Sequence, residues 1–401
     1  MEEKYIDLLL NKCVDFTSGI LFIHYNKEIK DFIEKLINQA KKLGMKEIYQ
    51  EEFDPYYNHD LLINSTLEEI ENNDYFNSSI WDTYAKKNAS FLIFETEYPH
   101  LMDDVSPEKI GLSSKLRRTS RAIYRKMVEE CSLSWCIASY PSKCWANSLF
   151  NTEDNYDQLL NFIYQICMVN KEDPIKAWDE HLNKISNIIN KLNNLNINSL
   201  HYQNSLGTDL TVYLPDNYLF SSAKDSKVIV NMPSYEVFTS PIYNKTEGIV
   251  YSSMPLNYNG GLIDKFYLKF ESGKVVDYDA QTGKEILKEI IKSDSNSCYL
   301  GECALVEKNS PIAKMNLAVG TTLIDENASC HLALGAGFRE CIKEGNSYTE
   351  EELLKNGINT SKNHVDFMIG TTDLNITAIT KDSKEISIFK EGEYSKELLN
   401  S

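Results

Sequence analysis

At 401 residues the chain is too long for one ordinary hydrophobic core, and a hydrophobic content of 42% is enough for two. A formal net charge of −18 disfavours partners with phosphate backbones or anionic membrane surfaces, and mildly attracts a substrate bearing a free amino group. Nine cysteines without a C-x-x-C pair, several of them inside apolar runs, read as reduced, buried thiols and argue against a cysteine-built zinc site.

The start, Met1-Glu2-Glu3-Lys4, is acidic with no apolar stretch of signal length behind it. No run of about 18 apolar residues occurs, so a cytoplasmic protein without a membrane partner is expected. In the first half, short apolar runs alternate with amphipathic segments. A strand is predicted over 19–24, then a helix over 27–43 with Ile29, Phe32, Ile33, Leu36, Ile37 and Ala40 at helical spacing and Gly44 after its end. Strands follow at 47–50, 90–94 and 133–138, with a long helix over 107–130 carrying Arg117, Arg118, Arg121 and Arg125. Strand and helix in turn imply a βαβ domain with a largely parallel sheet.

Helices are predicted over 156–168 and, opened by Asp173-Pro174, through Trp178 and His181 to about Leu192. The Asn-rich stretch 193–198 reads as a domain break, giving an α/β domain over 1–195 and an α+β domain over 196–401. The second half shows short β-rich runs at 209–213, 228–230, 248–252, 266–270 and 274–277. A helix over 282–292 is expected to start with a capping box from Thr282 and Glu285.

Only two of the seven histidines, His331 and His364, lie beyond residue 201. His364 stands in His364-Val365-Asp366, a spacing that puts imidazole and carboxylate on one face of a strand. A surface strand often gives H-x-D, and a lone histidine like His331 is more often a satisfied core residue than a ligand. Glu236, in N-M-P-S-Y-E-V-F-T-S-P, and Glu302, in Y-L-G-E-C-A-L-V, change the balance, because each charge is set among apolar neighbours. A buried glutamate is costly unless it is paired or binds a cation. Glu236, Glu302, His331, His364 and Asp366 form an O/N ligand set that suits zinc, cobalt or manganese. Three carboxylates and two imidazoles exceed the needs of one catalytic zinc and suit two divalent ions sharing a bridging carboxylate.

The segments N-M-P-S-Y-E-V-F-T-S-P, L-G-E-C-A-L-V, D-E-N-A-S-C-H-L-A-L-G and H-V-D-F-M-I-G resemble, in order, four signature blocks of the aminopeptidase T family of two-metal aminopeptidases. Gly207-Thr208-Asp209-Leu210 is similar to a further block, and Trp135, Pro141, Trp145-Ala146, Asp173-Pro174, Trp178 and His181 carry a thinner match in the first half. The resemblance implies a homodimeric exopeptidase acting on peptides with a free N-terminus, with the same five residues as metal ligands. It also exposes a departure. Phe338 stands where the family carries an active-site tyrosine, and Tyr348, ten residues on, replaces it only if the loop folds back.

In the mechanism this suggests, Glu326 relays a proton from water to the leaving amine, with Glu302 as the alternative base. A turn contact within Asp325-Glu326-Asn327 is an equal reading for Glu326. The helix arginines read as a solvated face, Trp135 and Trp178 as packing, and Asp209 as either a support for the site or a plain strand residue. Besides an active aminopeptidase, two other classes stay open. One is a metal- or peptide-binding relative with weakened catalysis, motivated by Phe338. The other is a two-metal hydrolase of phosphate esters or amides, weakened by the acidic charge and the lack of a Gly-rich phosphate loop.

Overall fold

The computed structural model describes residues 1–150, 155–223, 227–258, 261–315 and 319–400. It is a mixed α/β fold of two units, Met1–Trp178 with Lys224–Pro233, and Asp179–Ala223 with Ser234–Ser401.

The first unit is built on five parallel strands in the order Glu47–Phe53, Ile20–Asn26, Ser90–Glu95, Trp135–Ser139, Asn231–Met232. Parallel strands covered on both faces need near-continuous apolar runs, and Ile20-Leu21-Phe22-Ile23 and Phe91-Leu92-Ile93-Phe94 supply them. The helix Lys30–Lys42 buries Phe32, Ile33, Leu36, Ile37 and Ala40, the apolar stripe read from the sequence. Phe22 stacks on Phe91 at 4.8 Å and meets Trp81 at 5.0 Å, which ties sheet to helix through aromatic packing. Trp178 is fully buried, and its indole N–H donates to the Cys167 carbonyl at 2.8 Å.

The long helix expected over 107–130 is two helices, Pro107–Ser120 and Ala122–Glu129, broken at Arg121. Its arginines are not all solvated. The Arg117 guanidinium lies 4.9 Å from the Tyr75 ring and donates to Asn58 at 2.9 Å, and that of Arg121 sits 3.8 Å over Trp81. Aromatic faces attract a guanidinium strongly enough to draw these two inward. Arg125, paired with Glu129 at 3.3 Å, keeps the expected outward role.

The strand expected at 228–230 is instead Asn231–Met232, and it completes the parallel sheet of the first unit. The units change over at Trp178/Asp179, whereas the sequence reading put its boundary at 195/196. The reason is that the helix Pro174–Asn194 runs through unbroken, with Ile185, Ile188 and Leu192 in the core of the second unit. The capping box at Thr282 does not form. Thr282 ends the strand Lys274–Thr282, Gly283 caps the helix Lys284–Lys292 in a left-handed conformation, and Glu285 pairs with Lys288 at 2.6 Å.

The second unit holds a nine-stranded antiparallel sheet and a separate four-stranded one. The smaller sheet runs His364–Met368, His331–Gly335, Leu300–Leu305, Val237–Thr239, all antiparallel. The Leu300–Leu305 and His331–Gly335 strands are buried along their whole length. A β-bulge at Gly301 shifts register between Leu300 and Glu302. A Cβ on Gly301 would come within 2.1 Å of the Ala336 carbonyl oxygen, so only glycine allows this approach. Gly301→Ala is therefore expected to destabilise the protein by about 1–3 kcal/mol, read as a lower urea midpoint. Unfolding that coincides with wild type would contradict the close approach.

Candidate metal centre

Side chains two apart on a strand share a face, and residues opposite on neighbouring strands are adjacent on it. Glu302 pairs with Ala333, which pairs with Asp366 across the next strand. His331 lies two residues before Ala333, and His364 two before Asp366 and opposite Gly335. The four polar groups thus ring Ala333, whose small side chain leaves the space they converge on. Glu236, just ahead of the Val237–Thr239 strand, joins them from the other edge.

The distances follow from that register. His331 Nε2 is 3.3 Å from Glu236 Oε2, and His364 Nε2 is 3.2 Å from both Glu302 Oε2 and Asp366 Oδ1. Ligand atoms of Glu236, Glu302 and His331 lie within 4.8 Å of one another, as do those of Glu302, His364 and Asp366, so Glu302 belongs to both groups. Two atoms held by one tetrahedral ion at its usual bond length stand about 3.3 Å apart. Glu236, Glu302 and His331 are buried, while His364 keeps 27% of its side-chain surface.

Both imidazoles are oriented by backbone. His331 Nδ1 faces the Ser329 carbonyl at 3.2 Å, and His364 Nδ1 the Ala336 carbonyl at 2.8 Å. A nitrogen against a carbonyl must carry the proton, which leaves each Nε2 aimed at carboxylate oxygens. Buried Asp366 Oδ1 accepts no hydrogen bond among the described residues, although His364 Nε2 is near. Lone pairs converging on one another repel unless a cation or a proton lies between them, so the residues present fit divalent metal.

The segment carrying Glu236 is held in place from two sides. The Tyr235 N–H donates to Asn327 Oδ1 at 2.6 Å, and His181 Nε2 meets the Ser234 carbonyl at 3.1 Å while its ring packs 4.8 Å from that of Tyr235. Glu326, on the turn Glu326–Ala328, is buried and stands outside both ligand groups. Within the turn, Glu326 Oε1 meets Asn327 Nδ2 at 3.4 Å, while Asp325 accepts the N–H groups of Val319 and Gly320, each at 2.8 Å.

The Phe338 ring lies 5.0 Å from that of His364 and 5.0 Å from that of Phe238, so it walls the site. Tyr348 packs in another cluster, with Ile342, Leu353 and Ile358. Asp209 is exposed on its strand and pairs with His201 at 2.6 Å. Sequence reasoning missed Asn327 and Glu340. Burial, reinforced by the negative charge of Glu302, raises the Glu340 carboxyl, yet in the sequence it reads as one more charge beside Arg339.

Without a cation, protons must neutralise this cluster. Burial pushes the Glu236 carboxyl up to about 8, although His331 opposes it. Burial works against charge on His364, but Asp366 and Glu302 outweigh it and hold its pKa well above 6.5. Both groups, folded, keep protons that the unfolded chain has released, so cation-free stability should fall as pH rises from 6.5 to about 8. A divalent cation displaces those protons, so its affinity should rise over the same window. Melting of chelator-treated protein and zinc competition titrations across that range check both signs. A stability that climbs with pH, or an affinity indifferent to it, would contradict the assignment.

Residues 1–394 match the family model described as thermophilic metalloprotease (M29). The chain is 35% identical to Aminopeptidase 2 of Geobacillus stearothermophilus, over 99% of this chain and 98% of that protein. It is 32% identical to Aminopeptidase AmpS of Bacillus subtilis (strain 168), over 98% and 97%. The solved structure of wild-type AmpT from Thermus thermophilus superposes with a TM-score of 0.89 at 26% identity, covering 98% of both chains. With 394 of its 401 residues matched by the family model, the chain belongs to the thermophilic metalloprotease (M29) family.

Proposed function

We propose that this chain is a metallo-aminopeptidase that hydrolyses N-terminal residues from peptides at a centre for two divalent ions, with zinc, cobalt and manganese as candidates. The observation that carries the reading is the sharing of Glu302 by two ligand groups on one small sheet. Glu236 and His331 would complete one position and His364 and Asp366 the other, with Glu302 available to both. Bound divalent ions supply Lewis acidity, which makes water a competent nucleophile near neutral pH and polarises a carbonyl.

The protein's own residues do the rest. With Glu302 holding the ions, the buried Glu326 carboxyl would be the group that takes the proton from water and returns it to the departing amine. The backbone carbonyls of Ser329 and Ala336 accept the Nδ1–H of each imidazole and so leave Nε2 as the atom that would meet an ion. The chain's formal net charge of −18 favours a substrate bearing a free amino group over an anionic one.

Phe338 stands where the resembled family carries a tyrosine, and this departure motivates the second reading, a relative with weakened catalysis. Phe338→Tyr separates the two. A gain of about 10²-fold in kcat supports the weakened enzyme, and an unchanged, already high rate contradicts it. The main reading predicts that chelator-stripped protein releases no amino acid from short peptides or amino-acid anilides. Zinc, cobalt or manganese should restore release, and Glu302→Gln should lower it by at least about 10²-fold. Metal uptake without release from any substrate would leave only a binding protein.

A further inference from the structure

We propose that the side-chain amide of Asn327 is a positioning residue that sets Glu236 and Glu326 relative to each other; this rests on the two-ion reading above. Asn327 is completely buried. Its Oδ1 accepts the Tyr235 N–H at 2.6 Å, next to Glu236 in the chain. Its Nδ2 donates to the Leu323 carbonyl at 3.1 Å, closing the short helix Thr322–Asp325, and makes a long contact of 3.4 Å to Glu326 Oε1. The Asn327 backbone carbonyl accepts the Ser310 hydroxyl at 3.3 Å, so the turn itself is anchored.

A primary amide offers one acceptor and two donor hydrogens on a rigid plane. Here all three directions are used, and they point to the two carboxylate-bearing segments. The need is physical. Glu236 stands ahead of a strand of only three residues, Val237–Thr239, and Ser234 and Tyr235 before it belong to no strand. Ladder bonds therefore cannot fix its approach, and an error of about 1 Å at a reacting centre costs on the order of 10²-fold in rate. Aspartate at position 327 would keep the acceptor for Tyr235 and lose both donors, placing a second anion against Glu326.

The test compares full-length wild type with Asn327→Asp, using zinc alone as the binding probe and an amino-acid anilide as substrate. A positioning role predicts zinc affinity weakened about 10–100-fold and kcat lowered by a similar factor, with KM little changed. A folded variant with wild-type zinc affinity and kcat overturns the proposal, as does one that loses only melting temperature. Should the variant not fold, hydrogen exchange in zinc-free wild type decides. The Tyr235 amide is expected to be protected before any metal is added, and exchange at loop rates overturns the role. Wild type that takes up no zinc sinks the two-ion reading itself, whereas normal wild-type uptake beside an unaffected variant sinks Asn327 alone.

Discussion

Glu236, Glu302 and Asp366 bring three carboxylates to one point of a small sheet, and two of them are almost wholly withdrawn from water. Charge of one sign concentrated in a low-dielectric interior is costly enough to unfold a marginal domain unless something positive answers it. The rest of the second unit can be understood from that constraint. The strands pair so that Ala333 and Gly335 leave room around the convergence, Gly301 lets the Glu302 strand press against the Gly335–Ala336 backbone, and two backbone carbonyls turn the histidines inward.

The same constraint explains how strongly the segments outside the ladder are held. Only Ser234 and Tyr235 separate Glu236 from Pro233, the last residue of the first unit's share of the chain. Those two residues are gripped through Asn327 and His181 and not through strand pairing. His181, one of the thin resemblances in the first half of the sequence, finds a physical reason there. Burial pulls its pKa down, which keeps it neutral while it donates to the Ser234 carbonyl.

Much of this was legible in the chain. The parallel sheet could be read because its strands are continuous apolar runs and its helices carry clean stripes. His364 and Asp366 could be read because a period of two needs no tertiary information. Glu236 and Glu302 stood out as charges among apolar neighbours, which is a statement about burial made in advance. What failed depended on distant partners. Asn231–Met232 joins a sheet whose other strands lie almost a hundred residues or more away, and Arg117 and Arg121 turn inward toward Tyr75 and Trp81, rings that no local pattern reveals. Thr282 and Glu285 had the right spacing for a cap, but the preceding strand claimed Thr282 first. Asn327 was hidden in the same way, since an asparagine in a turn is ordinary until its amide is seen to serve three partners.

The proposed bridging of two cations by Glu302 can be seen by diffraction from zinc-soaked crystals with data on both sides of the zinc absorption edge. Two anomalous peaks are expected to flank the Glu302 carboxylate, one against Glu236 and His331 and the other against His364 and Asp366. A single peak, or peaks that leave Glu302 out, would contradict it.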